Sequence, residues 1–293
     1  MTKLEDLNEK LDEQLLKGVL LPTLLFWTGG LAAVWLRGAG PQLEAFAKQM
    51  QGWGGTTAIV LALVVMLLTG AVVTFLQAGA LSLFEGHWLA GRTGTSWLAR
   101  RLTARWASAN DALNLQDPQD NVRTRVARGV AEQVAHESPG NPDLHGPTRV
   151  GNMLQATVAR VAGKYGLDVA VCWPRLWLLI PDGVRTEVEA AQAGMDDALR
   201  GFVYSLLFSV WAWPCWGSPG DWRHLWPLAG SLTGMVVYRS KLFAAASRYT
   251  DTVEAVFDDY RLELFRAAGW QVPDRLTEPE VGAKLTMFLW RGL

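Results

Sequence analysis

The polar residues whose spacing is closest to that of a functional site lie in residues 56–84, a stretch without a charged side chain. Gly70, Thr74 and Gln77 follow one another at spacings of four and three, so a helix carries them on one face. A glutamine in hydrocarbon is costly unless it is hydrogen-bonded or meets water. The pattern favours a packing face of small residues with Gln77 near the cytoplasmic interface. A pore-lining stripe is the functional alternative.

A second pattern is the GxxxG pair formed by Gly230 and Gly234 within residues 224–238. Because glycine has no side chain, two membrane helices can approach closely at such a pair. The facing surface belongs either to a neighbouring segment of the same chain or to another subunit, and the sequence leaves both open. We treat Gly230 and Gly234 as a candidate helix-packing site.

An acidic cluster follows the last apolar stretch, on a segment with helical periodicity. Carboxylate oxygens are the ligands that hard cations prefer. Such runs usually form the solvated face of a helix, and this is the interpretation we favour. Cation binding, or a negative vestibule around an oligomer axis, is the functional alternative. The cluster consists of Asp251, Glu254, Asp258, Asp259 and Glu263.

The other residue types that do chemistry form no recognisable site. The four histidines lack the paired spacing of a metal site, and the two cysteines lack a CxxC spacing. The sequence has no phosphate-binding loop, no dinucleotide-binding glycine motif and no GxSxG elbow. We therefore predict no catalytic residue, no metal and no cofactor, and we do not expect an enzyme. The scattered residues are His87, His136, His145, His224, Cys172 and Cys215.

Charge excludes further classes of protein. The net charge is −1, so no overall field favours nucleic acid as a partner. Secondary transporters usually need ionisable residues near mid-membrane, and the apolar stretches contain none. This argues against a transporter. It argues less against a channel, whose selectivity can come from carbonyl or hydroxyl groups. The stretches are residues 18–36, 56–84, 201–220 and 224–238.

These stretches organise the chain around a lipid bilayer. A helix needs about 20 apolar residues to cross the hydrocarbon core. Residues 18–85 hold a first pair of membrane helices of sufficient length. Residues 201–238 hold a second, shorter pair joined by a tight turn, which either spans fully or forms a re-entrant hairpin. Both alternatives return the chain to the same face, so we predict an all-α protein with four transmembrane helices.

The charged regions predict cytoplasmic helices. Residues 1–17 predict an amphipathic helix, and residues 86–200 a mainly helical region that begins with a basic interfacial helix. Residues 239–293 predict a helical stalk with a coiled-coil-like apolar stripe, followed by a C-terminal helix. Residues 165–181 are interrupted by Pro174 and predict either a short strand pair or a buried helical turn.

Basic residues near the ends of the apolar stretches set the orientation. The side richer in lysine and arginine is cytoplasmic, which places both termini there. The tryptophan-rich loops, drawn from 15 tryptophans in the chain, face outward. The richer side holds Lys17, Arg92, Arg100, Arg101, Arg105, Arg200, Arg239, Lys241 and Arg248, and the other holds Arg37, Lys48 and Arg223.

One block carries a family resemblance. PTRVGN at 147–152, KYGLDVAVCWPRLW at 164–177 and the following IPDGVR resemble a PTxxGN…RYGxD…WPRL…LP block of uncharacterised bacterial four-helix inner-membrane proteins. Lys164 stands where that pattern has arginine. The resemblance implies a bacterial inner, cytoplasmic membrane and supplies no activity. We expect Gly151 and Gly166 to serve helix or turn packing, and Pro174 and Pro181 to fix the ends of elements.

Three functions fit these expectations. The first is a homo-oligomeric channel or pore with a cytoplasmic helical assembly, because the stalk stripe and the GxxxG pair present faces that need partners. The second is a non-conducting, membrane-anchored scaffold or sensor that recruits a cytoplasmic protein. The third is a membrane-associated enzyme with an unrecognised site. Replacing Thr74 or Gln77 by leucine alters conductance only under the first.

Overall fold

The computed structural model describes residues 20–52, 54–86, 96–114, 122–212 and 225–291. Every regular element in this part of the chain is a helix, and it contains no β-strand, so the predicted all-α class is confirmed. The predicted helix over residues 1–17 lies outside the described residues. The chain divides into two compact units. Unit 1 comprises Met1–Leu81 with Asp196–Leu242, and unit 2 comprises Ser82–Met195 with Phe243–Leu293.

Ten α-helices occur in the described residues, with short 3-10 turns at Pro142–Leu144 and Ser209–Ala212 and a π-helical turn at Trp35–Ala39. In chain order they are α1 (Leu21–Val34), α2 (Gly40–Gln51), α3 (Gly55–Glu85), α4 (Ser96–Asn114), α5 (Val122–His136), α6 (Arg149–Tyr165), α7 (Val169–Leu179), α8 (Asp182–Phe208), α9 (Leu225–Ala267) and α10 (Glu278–Arg291).

The first apolar stretch forms α1 and continues into the π-helical turn before α2. Pro22 lies in the first turn of α1, where its missing N–H has no helical partner to lose. Gly38 has a φ of 88°, which only glycine adopts without strain, and it bends the chain between the two helices. The amphipathic α2 therefore follows α1 directly.

Helix α3 is the one described helix long and apolar enough to cross a membrane by length and composition. It has 31 residues, and its most apolar stretch has a mean hydropathy of 2.8 with only 11% of that stretch buried. Helices α1 and α7 are apolar but shorter. The structure thus gives one clear membrane-length helix where the sequence predicts four.

Helix α9 matches the continuous helix predicted from the fourth apolar stretch through the stalk. It has 43 residues and contributes 225–242 to unit 1 and 243–267 to unit 2. It ends just before Gly269, which adopts a φ of 73°. Such a glycine terminates a helix readily because the left-handed conformation costs it little.

The stalk stripe does not present a face that needs another subunit. Ala246, Val253 and Val256 are buried inside unit 2. Val253 and Val256 lie in the core that α9 forms with α6, α7 and α10 of the same chain, together with Val161, Cys172, Leu176, Phe257, Phe265 and Leu285. The expectation was wrong because a heptad-like spacing shows that one face is apolar, and does not show which helix covers it.

Within residues 165–181, Val169–Leu179 forms the helix α7, and Pro174 lies inside it instead of ending an element. The proline removes one backbone hydrogen bond, to the carbonyl of Ala170. The Arg175 guanidinium donates to the carbonyl of Val171, the residue after Ala170, at 2.7 Å. Asp168 caps the start by accepting from the Ala170 N–H at 2.8 Å. Pro181 does mark an element boundary, since α8 begins at the next residue.

Helices α4 and α5 pack on each other in unit 2. Ala109 of α4 meets Ala131 and Val134 of α5, with Leu113 against them. These small side chains bury little apolar area, so the pair depends on close approach more than on a large core. Most of the predicted basic helix is α4, which carries Arg100, Arg101 and Arg105. Its beginning, at residues 87–95, lies outside the described residues.

Candidate functional site

The interior of unit 1 is an aromatic cluster between α1 and α8. Trp27 stands edge-on to Trp211 with ring centroids 5.4 Å apart, and Phe26 is edge-on to Phe208 at 6.2 Å. Edge-to-face pairs at this separation add about 0.5–1.5 kcal/mol beyond the area that they bury. The cluster fixes the register of α1 against α8.

Glycines allow the aromatic rings of unit 1 to reach neighbouring backbones. A Cβ atom at Gly30 would overlap the Trp211 indole, and one at Gly201 would overlap the Tyr238 ring. The first contact joins α1 to the 3-10 turn after α8, and the second joins α8 to α9. Both positions therefore require glycine for packing.

The structure places Gly230 and Gly234 against α8 of the same chain. A Cβ atom at Gly234 would overlap the Ser205 side chain, and one at Gly230 would lie 3.5 Å from the Phe208 ring. Of the two surfaces that the sequence left open, the neighbouring segment is the one seen here. The helices approach closely at Gly234, whereas the space at Gly230 would admit a Cβ atom.

The predicted polar stripe of α3 does not form one continuous surface. Gly70 is buried, whereas Thr74 is exposed and donates to the carbonyl of Gly70 at 3.0 Å. The Gln77 amide nitrogen donates to the Asp196 carbonyl of α8 at 3.1 Å. Gln77 is therefore hydrogen-bonded within its own protomer.

Two more side-chain hydrogen bonds tie unit 1 together. The hydroxyls of Thr23 and Tyr204 are 2.6 Å apart, and Thr23 is fully buried. The Trp27 indole nitrogen donates to the Thr69 hydroxyl at 3.2 Å. These neutral contacts and that of Gln77 connect α1, α3 and α8. Local sequence patterns do not predict which residues pair in this way.

Unit 1 also contains an open cavity of about 440 Å³. Leu25, Phe208 and Gly230 contribute to its apolar part. Asp197 and Arg200 line its polar part, where a carboxylate oxygen and a guanidinium nitrogen are 3.4 Å apart. It is a mixed environment, apolar on one side and charged on the other.

The acidic cluster lies on α9 in unit 2, where most of its members have cationic or hydroxyl partners. Glu254 pairs with Arg160 at 2.7 Å and Lys164 at 2.6 Å. His136 lies 3.0 Å from Asp251. Asp258 accepts from the Tyr165 hydroxyl at 2.5 Å, Glu263 pairs with Arg266, and Asp259 is exposed.

These pairs disfavour a cation site in the cluster. The described residues contain no group of three or more histidine, cysteine or acidic side chains placed to hold a metal ion. Arg160 and Lys164 come from α6, about a hundred residues before their acidic partner in the chain. The cluster joins α9 to α6, a role that sequence spacing alone does not predict.

The ion pairs shift the protonation equilibria of unit 2. Burial alone would raise the pKa of Glu254, but hydrogen bonds from Lys164 and Arg160 outweigh it and lower the pKa below its ordinary value. The hydrogen bond to Glu254 raises the pKa of Lys164. Burial, followed by the hydrogen bond to Asp258, raises the pKa of Tyr165 to about 12.

A second ion pair holds α9 to α10. Arg261 lies 2.5 Å from a carboxylate oxygen of Glu278, and their side chains are 17% and 6% exposed. The guanidinium also stacks over the Tyr165 ring at 4.1 Å. Sequence reasoning did not single out Glu278, whose partner Arg261 lies on a different helix.

The block that carried the family resemblance builds the frame of unit 2. Thr148 caps α6 by accepting from the Gly151 N–H at 3.2 Å, and a Cβ atom at Gly151 would overlap the Glu85 carbonyl. Gly166 has a φ of 68°, and a Cβ there would overlap the Pro279 carbonyl. Both glycines thus occupy close backbone contacts.

The same block lines two adjoining cavities of about 210 and 350 Å³ on unit 2. They share Trp173, Pro174 and Tyr249. Trp177 and the exposed Gln192 line the second cavity. We call this surface the aromatic groove. Its rings are apolar, and Gln192 offers an amide at the edge.

Comparison of the chain with protein-family models, with curated proteins and with solved structures finds no match.

Proposed function

We propose that unit 1 is a four-helix membrane anchor in a bacterial inner membrane, with residues 86–200 and 239–293 cytoplasmic. The register of its helices carries this proposal. The third apolar stretch begins just after Arg200, and the fourth ends just before Arg239. The apolar residues beside these two charges, Gly201 and Tyr238, are in contact. A bilayer requires such boundaries to lie at one level.

Other contacts fit the same register. Thr23, near the start of α1, bonds Tyr204, and Gln77, near the end of α3, bonds the Asp196 carbonyl. Farther along both helices, Gly30 meets Trp211. These contacts support a common boundary for the first, third and fourth apolar segments.

The surface of unit 1 needs a nonaqueous environment. Leu25 is 62% exposed, Phe75 80% and Val236 65%. Burying apolar area is worth about 25 cal/mol per Å², so leaving helix faces of this kind in water is costly. Lipid chains covering these residues remove that cost.

Extraction and thiol labelling test the anchor. We expect the chain to stay in the membrane pellet after alkaline carbonate extraction. In a Cys172→Ser, Cys215→Ser background, Gln49→Cys should react with an impermeant maleimide in intact spheroplasts. Gln155→Cys should react only after permeabilisation. Release by carbonate, or equal labelling at both positions, contradicts the anchor.

For the biochemical role, we propose a non-conducting scaffold that recruits a cytoplasmic protein through the aromatic groove. Gln77 is engaged by Asp196 inside the protomer, which removes the strongest candidate for a pore stripe. Trp173, Trp177 and Tyr249 leave an aromatic surface open instead. Grooves with such rings bind apolar or proline-containing segments that are extended before binding.

A photocrosslinking residue at Gln192 tests the scaffold. We expect it to capture a discrete cytoplasmic protein, because Gln192 borders the aromatic groove. Gln155, an exposed glutamine on α6 outside the groove, is the matched control. Trp177→Ala should abolish capture at position 192. Capture that survives Trp177→Ala, or that is equal from both positions, contradicts recruitment through the groove.

A homo-oligomeric channel is the second candidate, and one observation favours it. Ala71, Thr74 and Ala78 are exposed on α3 at spacings of three and four. Small residues let copies of a membrane helix approach closely. Ion flux into proteoliposomes, reduced by Thr74→Leu and unaffected by Val72→Leu, favours the channel. Absence of flux favours the scaffold.

A further inference from the structure

The cavity of unit 1 has the size and composition of a ligand site. Its volume of about 440 Å³ lies within the range of roughly 300–1,000 Å³ common for small-molecule pockets. Leu25 and Phe208 supply apolar walls, while Asp197 and Arg200 supply opposite charges. A ligand that matches both parts has a hydrocarbon chain joined to a charged group.

The charged part lies where the sequence becomes apolar. Arg200 is the last charged residue of α8, and the cavity also contacts Pro22 at the start of α1 and Tyr238 at the end of the fourth apolar stretch. If unit 1 spans the bilayer, these residues lie at the depth of lipid headgroups. The inference therefore rests on the proposed anchor.

The contact between Asp197 and Arg200 is long and partly exposed to solvent. Their atoms are 3.4 Å apart, and their side chains are 72% and 27% exposed. Exposed pairs of this kind contribute about 0–1 kcal/mol. A phosphate ester is a stronger partner for a guanidinium because it accepts two parallel N–H bonds. When a phosphate binds Arg200, the Asp197 carboxylate can pair with a cationic group of the same ligand.

We propose that this cavity binds a phospholipid with a primary ammonium headgroup, of the phosphatidylethanolamine class. Arg200 binds the phosphate, and Asp197 accepts from the ammonium. Phosphatidylglycerol has no cation for Asp197, and the quaternary ammonium of phosphatidylcholine has no N–H to donate. Charge complementarity thus selects one headgroup of the three.

The acyl chain occupies the apolar part of the cavity. Gly230 lines it, and the nearest atoms to a Cβ atom there belong to Phe208, at 3.5 and 3.8 Å. Leu25 of α1 also lines the cavity and is largely exposed. A large side chain at position 230 therefore competes with the acyl chain without displacing backbone.

The test uses the full chain in nanodiscs that contain equimolar phosphatidylethanolamine, phosphatidylglycerol and phosphatidylcholine. Lipids that stay bound after transfer to detergent are counted by native mass spectrometry. We expect phosphatidylethanolamine to be enriched severalfold over the other two. Retention in proportion to the nanodisc composition overturns the proposal.

Variants assign the headgroup contacts. Asp197→Asn should remove the preference over phosphatidylglycerol, and Arg200→Gln should lower retention of all three lipids. Asp182→Asn is the matched control, since Asp182 also pairs with an arginine three residues later and is 97% exposed. Unchanged preference in Asp197→Asn, or an equal loss in Asp182→Asn, overturns the assignment.

Gly230→Leu tests the acyl chain independently of charge. It should reduce retention of the bound lipid while the protein stays in the nanodisc. Full retention contradicts the placement of the chain. A protein released by carbonate extraction rejects the anchor itself, whereas a membrane-integral protein without lipid preference rejects only this inference.

Discussion

The two units of this chain satisfy their buried polar groups in different ways. Unit 1 uses neutral side-chain contacts, such as Thr23 with Tyr204 and the Gln77 amide with a backbone carbonyl. Unit 2 uses ion pairs, such as Glu254 with Arg160 and Arg261 with Glu278. Charges are far costlier to bury than hydroxyls or amides, so they occur where water and partners remain close.

The two units also differ in how completely they bury their apolar side chains. Phe257, Phe265 and Leu285 of unit 2 are completely buried by other parts of that unit. In unit 1, Phe75 and Val236 are mostly exposed. Unit 2 therefore supplies its own core, whereas unit 1 depends on its surroundings to cover it. Substitutions that change the stability of one unit and leave the other unchanged test this contrast.

The largest effect is expected from Gly166→Ala. The added Cβ would overlap the Pro279 carbonyl, and the φ of 68° is strained for alanine. We expect unit 2 to lose about 3–5 kcal/mol. Hydrogen exchange of the protein in nanodiscs should show lost protection in α6 and α10, with protection in α3 retained.

Gly163→Ala is the matched control for that change. A Cβ there meets nothing within 4 Å, and the position is helical, so stability should rise by up to about 1 kcal/mol. Equal destabilisation by both substitutions contradicts the close contact. Lost protection throughout α3 contradicts the independence of the two units.

The next effect is expected from Glu278→Gln. It leaves the Arg261 guanidinium, 17% exposed, without its carboxylate. Removing one partner of a largely buried pair costs unit 2 about 2–4 kcal/mol. Exchange protection in α10 reports the loss. Glu280→Gln, which breaks an exposed pair with Lys284, should leave protection unchanged.

Acidification should weaken unit 2 through Glu254. Because the pKa of Glu254 is lowered on folding, its stabilising contribution is present above the unfolded pKa, which is near 4.3. It is lost as pH falls through the lower folded pKa. Thermal unfolding should therefore show an acid decline below about pH 4.3. Glu254→Gln should flatten that decline, and an unchanged profile contradicts the ion pairing.

Raising the pH should weaken unit 2 through ionisation of Tyr165. Its pKa rises to about 12, so its stabilising contribution is complete below the unfolded pKa of about 10. It is lost as pH rises from about 10 towards 12. Burial also raises the pKa of Tyr249, so ultraviolet titration should show more than one tyrosine ionising late. Tyr165→Phe should reduce the late step by one tyrosine.

The smallest effect is expected from Gln77→Leu in unit 1. Side-chain hydrogen bonds between membrane helices contribute about 0.6 kcal/mol on average. We therefore expect a slight loss of thermal stability in nanodiscs and no change in unit 2. A loss of several kcal/mol would show that neutral contacts stabilise unit 1 as strongly as ion pairs stabilise unit 2.

Sequence periodicity predicted the elements better than their partners. The charge-free stretch that forms α3 and the long pattern of α9 identified both helices, because length and spacing are local properties. Pro174 misled the interpretation of α7, since a proline marks a lost hydrogen bond without showing whether the helix continues. Packing of α7 into the core of unit 2 determines that the helix continues through Pro174.

For the candidate site residues as well, the sequence predicted the helix face but not the partners. Spacing placed Gly70, Thr74 and Gln77 on one helix face, but the Asp196 carbonyl that binds Gln77 is more than a hundred residues away. The partners of Glu254 are also distant in the chain. Contacts of this range depend on tertiary structure, and a single sequence carries no local signal for them.

The division of the chain also sets an order of synthesis and insertion. Unit 2 consists of Ser82–Met195 and Phe243–Leu293, and residues 196–242 of unit 1 lie between these parts. Its core joins Val161 and Leu176 to Phe257 and Leu285. A ribosome makes the first part well before the second, so the early helices wait with apolar faces uncovered. Under the proposed anchor, the second pair of apolar segments enters the bilayer between these two steps, and the early faces are covered only afterwards.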